Sequence, residues 1–89
     1  GVIAFSKSLA REMARYNICV NVVAPGPTDT PLFEGQSERL KEALLRAIPF
    51  RRLARPQDIA DGILYFASDR ASYVTGQVLS VSGGLTMAG

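Results

Sequence analysis

The chain opens with apolar residues at helical spacing. Val2, Phe5, Leu9 and Met13 recur in steps of three and four, and Lys7, Arg11 and Arg15 take the opposite side. That period predicts an amphipathic helix over residues 1–15. Ile3, Ala10 and Ala14 add a flanking stripe, so the apolar surface is wider than one packing partner needs. Such width points to a second partner, such as another subunit. The helix begins at the first residue with no capping residue before it, which suggests a chain cut from a longer sequence. Asn17 suits a left-handed stop, because asparagine tolerates positive φ.

The pattern then changes. Ile18-Cys-Val-Asn-Val-Val23 is a nearly continuous, β-branched apolar run, which predicts a parallel strand covered on both faces. Asn21 interrupts it. A buried amide must be hydrogen-bonded, so Asn21 is expected to tie neighbouring backbone together. Cys19, the single cysteine, is expected to be a buried small hydrophobe. Residues 24–36 hold three prolines and two glycines and read as a loop. With Ser37 as N-cap, a second helix is predicted over residues 38–48, with Leu40, Ala43, Leu44, Ala47 and Ile48 on one face and Glu42 and Arg46 paired across a turn. Pro49 ends it. Pro56 opens a third helix to about residue 68, with Ile59, Ile63, Phe66 and Ala67 inward. Asp58 and Asp61 read as first-turn acids favoured by the helix dipole. Residues 77–81 form a last strand, broken by Ser82-Gly83-Gly84, and Ser80 and Ser82 read as turn residues. The order helix–strand–helix–helix–strand defines an α/β protein with crossovers. Two strands alone would leave open edges.

Composition narrows the function. The 89 residues allow one small domain or a piece of a larger one, and 47% apolar content implies a packed interior. Net charge is +2, and Arg51-Arg52 is the only adjacent basic pair, so no dense basic face for nucleic acid is expected. There is no histidine, which removes Ser-His-Asp triads, an activated cysteine and His metal sites from this chain. No apolar run approaches the roughly 18 residues of a membrane helix. A cytoplasmic location without membrane contact is the expectation.

The most informative stretch is Asn21-Val-Val-Ala-Pro-Gly-Pro-Thr-Asp-Thr30. It leaves the first strand, and in open α/β sheets ligands bind at the carboxyl ends of strands. Exposed backbone and short side chains there suit a flat aromatic ligand bearing an amide. Gly26 allows close backbone approach, Thr28 offers a hydroxyl and an N–H, and Thr30 offers a hydroxyl. On these residues alone, a plain turn after a strand is the preferred reading.

Four ordered segments resemble the short-chain dehydrogenase/reductase family. They are the first helix with Tyr16-Asn-Ile-Cys-Val-Asn21, the Pro25-Gly26-x-Thr28-x-Thr30 loop, Arg52 with Pro56 and Asp58, and the run from Tyr73 to Gly84. The resemblance covers essentially the whole chain. It implies that residues 1–89 are the C-terminal part of one doubly wound, Rossmann-like parallel sheet domain. Pro25, Gly26 and Thr28 would lie beside the nicotinamide of NAD or NADP, with the Thr28 backbone meeting the carboxamide. Thr30 would bond the carboxamide or a nearby phosphate. Residues 31–49 would form a substrate lid, with Leu32, Phe33 and Leu40 toward an apolar substrate portion. The implied substrate is a secondary alcohol or ketone, such as a hydroxyacyl-CoA. The implied assembly is a homodimer or homotetramer through the first helix and last strand. The tail and the Pro-Gly loop are similar to the branch that includes 2-hydroxycyclohexanecarboxyl-CoA dehydrogenase, with 3-oxoacyl-carrier-protein reductases as the neighbouring alternative.

Two family features have no counterpart in these residues. Tyr16, Tyr65 and Tyr73 are followed four positions later by Val20, Asp69 and Gln77, so the Tyr-x-x-x-Lys pair is absent. The Gly-x-x-x-Gly-x-Gly cofactor turn is absent as well. The 89 residues alone are therefore expected to be inactive. The alternative is a non-catalytic interaction module that assembles through the first helix and the last strand.

Overall fold

The structure, a computed structural model, describes residues 1–88. Helix α1 spans Val2–Met13 and tightens into a 3-10 turn over Ala14–Tyr16. Asn17 ends it at φ 59°, the left-handed stop its side chain tolerates. Strand β1, Val22–Pro25, pairs in parallel with β2, Val78–Val81, with Val22 opposite Val78 and Pro25 opposite Val81. Three helices lie in the connection: α2 at Pro31–Glu34, α3 at Glu38–Ala47 and α4 at Pro56–Ala67.

The first strand begins four residues later than the apolar run. Residues 18–21 are not idle: they are tied to the segment before β2 in a way that precedes the regular ladder. The Val20 N–H donates to Thr75 Oγ1 at 2.9 Å, and the Gly76 N–H donates to the Val20 carbonyl at 2.7 Å. Asn21 then stands in for a backbone partner. Its Nδ2 donates to the Val74 carbonyl and its Oδ1 accepts from the Gln77 N–H, both at 3.0 Å. Only at the Val22 N–H, donating to the Gln77 carbonyl at 2.9 Å, does the main-chain ladder start. Asn21 thus performs the expected tying. Cys19 does not follow expectation: it lies before the first regular strand and is exposed.

The strands are half-buried rather than covered on both faces. Helix α4 is the helix that packs against both of them. Its inner seam runs through Ile59, Gly62 and Phe66, while Ile63 and Ala67 are exposed. Gly62 shifts the seam. A Cβ there would lie 3.3 Å from Val81 Cγ2, 3.5 Å from Leu79 Cδ2 and 3.7 Å from Val23 Cγ1, so the bare backbone lies directly on the sheet. A glycine inside a helix costs about 0.5–1 kcal/mol relative to alanine, and the close approach offsets it.

Helix α3 is rotated by one position from the expected face. Lys41, Leu44, Leu45 and Ile48 turn inward, and Leu40, Ala43 and Ala47 are exposed. Ile48 is the deepest side chain, 1% exposed. It lies under Gly83, whose φ of 63° is in the left-handed region that favours glycine. The Phe50 N–H donates to the Gly83 carbonyl at 3.0 Å, so the chain after α3 is fastened to the turn after β2.

Candidate functional site

The loop after β1 is built by three constraints. At Gly26 the N–H donates to the Val81 carbonyl at 2.9 Å, and an added Cβ would lie 2.7 Å from Ser82 Cα. The close approach that glycine permits is therefore to Ser82, a contact the sequence reading missed. Ser82 is buried, and its Oγ donates to the Thr86 carbonyl and accepts from the Thr86 N–H. It is a turn residue, as expected.

The second constraint is a parallel bridge between Thr28 and Ala54. The Ala54 N–H donates to the Pro27 carbonyl at 3.0 Å, and the Asp29 N–H donates to the Ala54 carbonyl at 2.9 Å. In a parallel bridge of this form the flanking residues supply the bonds. The N–H and C=O of Thr28 itself are left pointing away from Ala54, with no partner among the described residues. The Thr28 hydroxyl donates to the Gly26 carbonyl at 3.0 Å and stiffens the turn.

Asp58 supplies the third constraint from a distance. Its Oδ2 accepts from the Arg55 N–H at 2.8 Å and from Arg52 Nη1 at 3.1 Å, and its Oδ1 accepts from Arg55 Nη2 at 3.3 Å. One carboxylate thus caps α4 and holds the residues on both sides of Ala54. The Arg52–Pro56–Asp58 stretch becomes intelligible: it fixes the backbone on which Thr28 is aligned. The Arg55 N–H, together with the Arg55 and Arg52 guanidinium groups, holds the Asp58 carboxyl well below the usual carboxylate range.

A pH dependence follows from that shift. The folded carboxyl ionises below the unfolded value of about 3.9, so its stabilisation is complete above that value and is lost as pH falls through the folded one. Asp58→Asn is expected to lower stability at about pH 7 and to flatten its fall below about pH 4. Urea-unfolding midpoints measured across that range check this. An acid limb unchanged by the substitution would show that Asp58 does not carry it.

Thr30 is exposed and caps α2, its Oγ1 accepting from the Phe33 N–H at 3.3 Å. The hydroxyl proton remains available to donate. Leu32 and Leu40 are 78% and 53% exposed, and Phe33 is half-buried beneath Lys41. The short helix α2 was not legible as such, since prolines and glycines flank it. Its signal was Thr30-Pro31, a capping hydroxyl followed by proline at the first helical position. The Glu42–Arg46 pair is not among the ion pairs of the described residues; Lys41 takes the acidic partners on this segment instead.

A cleft of about 400 Å³ lies elsewhere, at the end of β2. Phe50, Arg52, Asp58, Asp61 and the turn from Ser80 to Gly84 line it, and Pro25, Gly26, Thr28 and Thr30 do not. Among the described residues, no helix is long and apolar enough to cross a membrane.

A parallel strand–helix–strand unit with unspent backbone groups after a strand's carboxyl end belongs to the class of α/β proteins that bind ligands there. Comparison with known proteins makes the assignment sharper. The family described as enoyl-(acyl carrier protein) reductase matches residues 1–86. An acetoacetyl-CoA reductase of Acinetobacter sp. is 49% identical over 87 residues, covering 98% of this chain and 35% of that protein. A 3-oxoacyl-(acyl-carrier-protein) reductase of Thermotoga maritima is 47% identical over 87 residues, covering 98% and 35%. Nodulation protein G of Rhizobium sp. is 47% identical over 87 residues, covering 98% and 36%. The chain belongs to the short-chain dehydrogenase/reductase family. Its relatives place it on the 3-oxoacyl-carrier-protein reductase branch, the neighbouring alternative to the one its tail first suggested. It spans about a third of the length of these relatives.

Proposed function

We propose that this chain is the C-terminal part of an NAD(P)-dependent reductase that moves a hydride between nicotinamide and the 3-oxo or 3-hydroxy group of an acyl thioester. Two of its relatives, an acetoacetyl-CoA reductase and a 3-oxoacyl-(acyl-carrier-protein) reductase, are named for thioesters of that kind. The observation that carries the reading is Thr28. Its N–H and C=O are held in place by the Ala54 bridge yet spent on nothing among the described residues.

A carboxamide has one acceptor and two donor hydrogens, and the groups present fit it. The Thr28 N–H donates to the carboxamide oxygen, and the Thr28 carbonyl accepts from its nitrogen. The Thr30 hydroxyl keeps its proton for the carboxamide or a phosphate while accepting from the Phe33 N–H. Pro25 and Gly26 hold the approach to the ring narrow and rigid. The bound cofactor supplies the hydride. The catalytic tyrosine and lysine of the family come from outside these 89 residues. Residues 31–49 cover the substrate, with the exposed Leu32 and Leu40 toward its acyl portion and Phe33 held beneath Lys41. The apolar side chains that α1 leaves exposed, Val2, Ile3 and Phe5, suit assembly with further copies.

In the intact protein, Thr30→Val is expected to lower turnover of NADH or NADPH with a 3-oxoacyl thioester about threefold to tenfold, the worth of one hydrogen bond. Thr30→Ser keeps both the cap and the donor and is expected to behave as wild type. Steady-state oxidation of NAD(P)H reads the result. Absence of any thioester-dependent oxidation in the intact protein would end the reading, and unaltered kinetics in Thr30→Val would remove the role given to Thr30.

A further inference from the structure

The segment between the two fastened points inverts polarity at three positions. Leu32 and Leu40 face solvent, while the Lys41 side chain, only 16% exposed, shares the inner stripe with Leu44, Leu45 and Ile48. Lys41 occupies the first position of the inner α3 stripe that ends at Ile48. Its Nζ lies 3.4 Å from Glu34 Oε2, 3.6 Å from Glu38 Oε1 and 5.8 Å from the centroid of the Phe33 ring. Two of these partners belong to α2 and one to the first turn of α3.

Helix α2 has four residues, far fewer than a helix needs to persist by itself. Its capping bond at Thr30 holds only its start. Toward its other end the Lys41 ammonium of α3 reaches it, at Glu34 and over the Phe33 ring. A lysine can cover an aromatic ring with its methylenes and still reach carboxylates with its head. At one side the segment is fixed by the Asp29–Ala54 bond, and at the other by Ile48 and the Phe50–Gly83 bond.

We propose that Lys41 is a positioning residue that latches α2 to α3, so that residues 31–47 open and close as one body with Leu32 and Leu40 carried on its outer surface. The placement explains the inversion. Apolar groups reserved for an acyl chain cannot also be spent holding the two helices together, so a charged hub does that instead. The link to an acyl chain rests on the lid reading given above; the latch itself does not.

The test is amide hydrogen exchange in the intact protein, with Lys41→Met, Lys41→Arg and Glu34→Gln. In the wild type, the bonded amides of residues 33–36 and those within α3 are expected to share one opening equilibrium, with matching protection. Lys41→Met keeps the stem and loses the charge. It is expected to lower protection of residues 33–36 about fivefold, the combined scale of exposed ion pairs and one cation–π contact, with α4 unchanged. Lys41→Arg is expected to hold protection at the wild-type level, and Glu34→Gln to lose about twofold. Unchanged protection at residues 33–36 in Lys41→Met would overturn the latch. So would wild-type α2 amides that exchange independently of α3, or a loss spread equally over α4.

A kinetic arm separates the two readings. If the latched segment is the substrate lid, Lys41→Met raises KM for a long acyl thioester about fivefold with kcat little changed, and Lys41→Arg restores it. Lowered protection of residues 33–36 in Lys41→Met with an unaltered KM would keep the latch and remove the lid role.

Discussion

Gly26→Ala is expected to damage both stability and the loop after β1. The added methyl would stand 2.7 Å from Ser82 Cα and 2.8 Å from Ser82 Cβ, closer than carbon atoms approach without movement. Ser82 cannot yield cheaply. Its hydroxyl is committed twice to Thr86, and the preceding Val81 carbonyl accepts from the Gly26 N–H itself. Overpacking against fixed backbone costs about 1–3 kcal/mol. The relief available is to push the loop away from β2, which draws Thr28 off its bridge to Ala54. Urea unfolding should therefore show the loss of stability, and calorimetry in the intact protein should show weaker NAD(P)H binding. A variant with wild-type stability would mean that the loop does not approach Ser82 as closely as described.

Ile48→Ala is expected to have the larger effect on stability, about 2–5 kcal/mol, because a buried aliphatic side chain is deleted and the site collapses only partly. Ile48 is 1% exposed and forms the floor under Gly83. The substitution would also loosen the point at which α3 is fastened to the turn after β2. Ile48→Val retains most of the side chain and should cost about 0.5–1.5 kcal/mol. Unfolding midpoints for the pair give the comparison. Equal and small losses in the two variants would show that Ile48 is not the anchor.

The two substitutions act on different levels of the same design. Ile48 holds the segment carrying Leu32 and Leu40 to the body of the protein. Gly26 lets the loop carrying Thr28 lie against β2. Asp58 connects them, since the backbone it fixes at Ala54 carries the bridge to Thr28. A mutation far from Thr28 can thus displace its backbone groups.

Much of this was legible in the sequence because it depends on local chemistry. Period and capping residues gave α1, α3 and α4 to within a few positions, and Asn17 and Pro49 gave their ends. Asn21 betrayed itself as a polar residue in an apolar run, whose amide had to find partners. The Pro25-Gly26 loop was found because its residue types and its place after a strand are both local properties. Family membership followed from four short segments in order, and comparison with known proteins bears it out.

What local chemistry could not reach was which atoms meet across long stretches of chain. The strand's true start depends on Thr75 and Gln77, more than fifty residues from the atoms they bond. The inner face of α3 takes in Lys41 and Leu45 in place of Leu40, Ala43 and Ala47, and the seam of α4 moved because Gly62 admits the sheet. Cys19 reads as a core residue by composition and is exposed by placement. Helical period and turn chemistry act within a few residues, so the sequence by itself determined the longer helices, the two strands, their order and the family. Burial and the pairing of Thr28 with Ala54 are properties of surfaces that only folding brings together, so the tertiary structure alone decided which groups are spent and which remain free to bind.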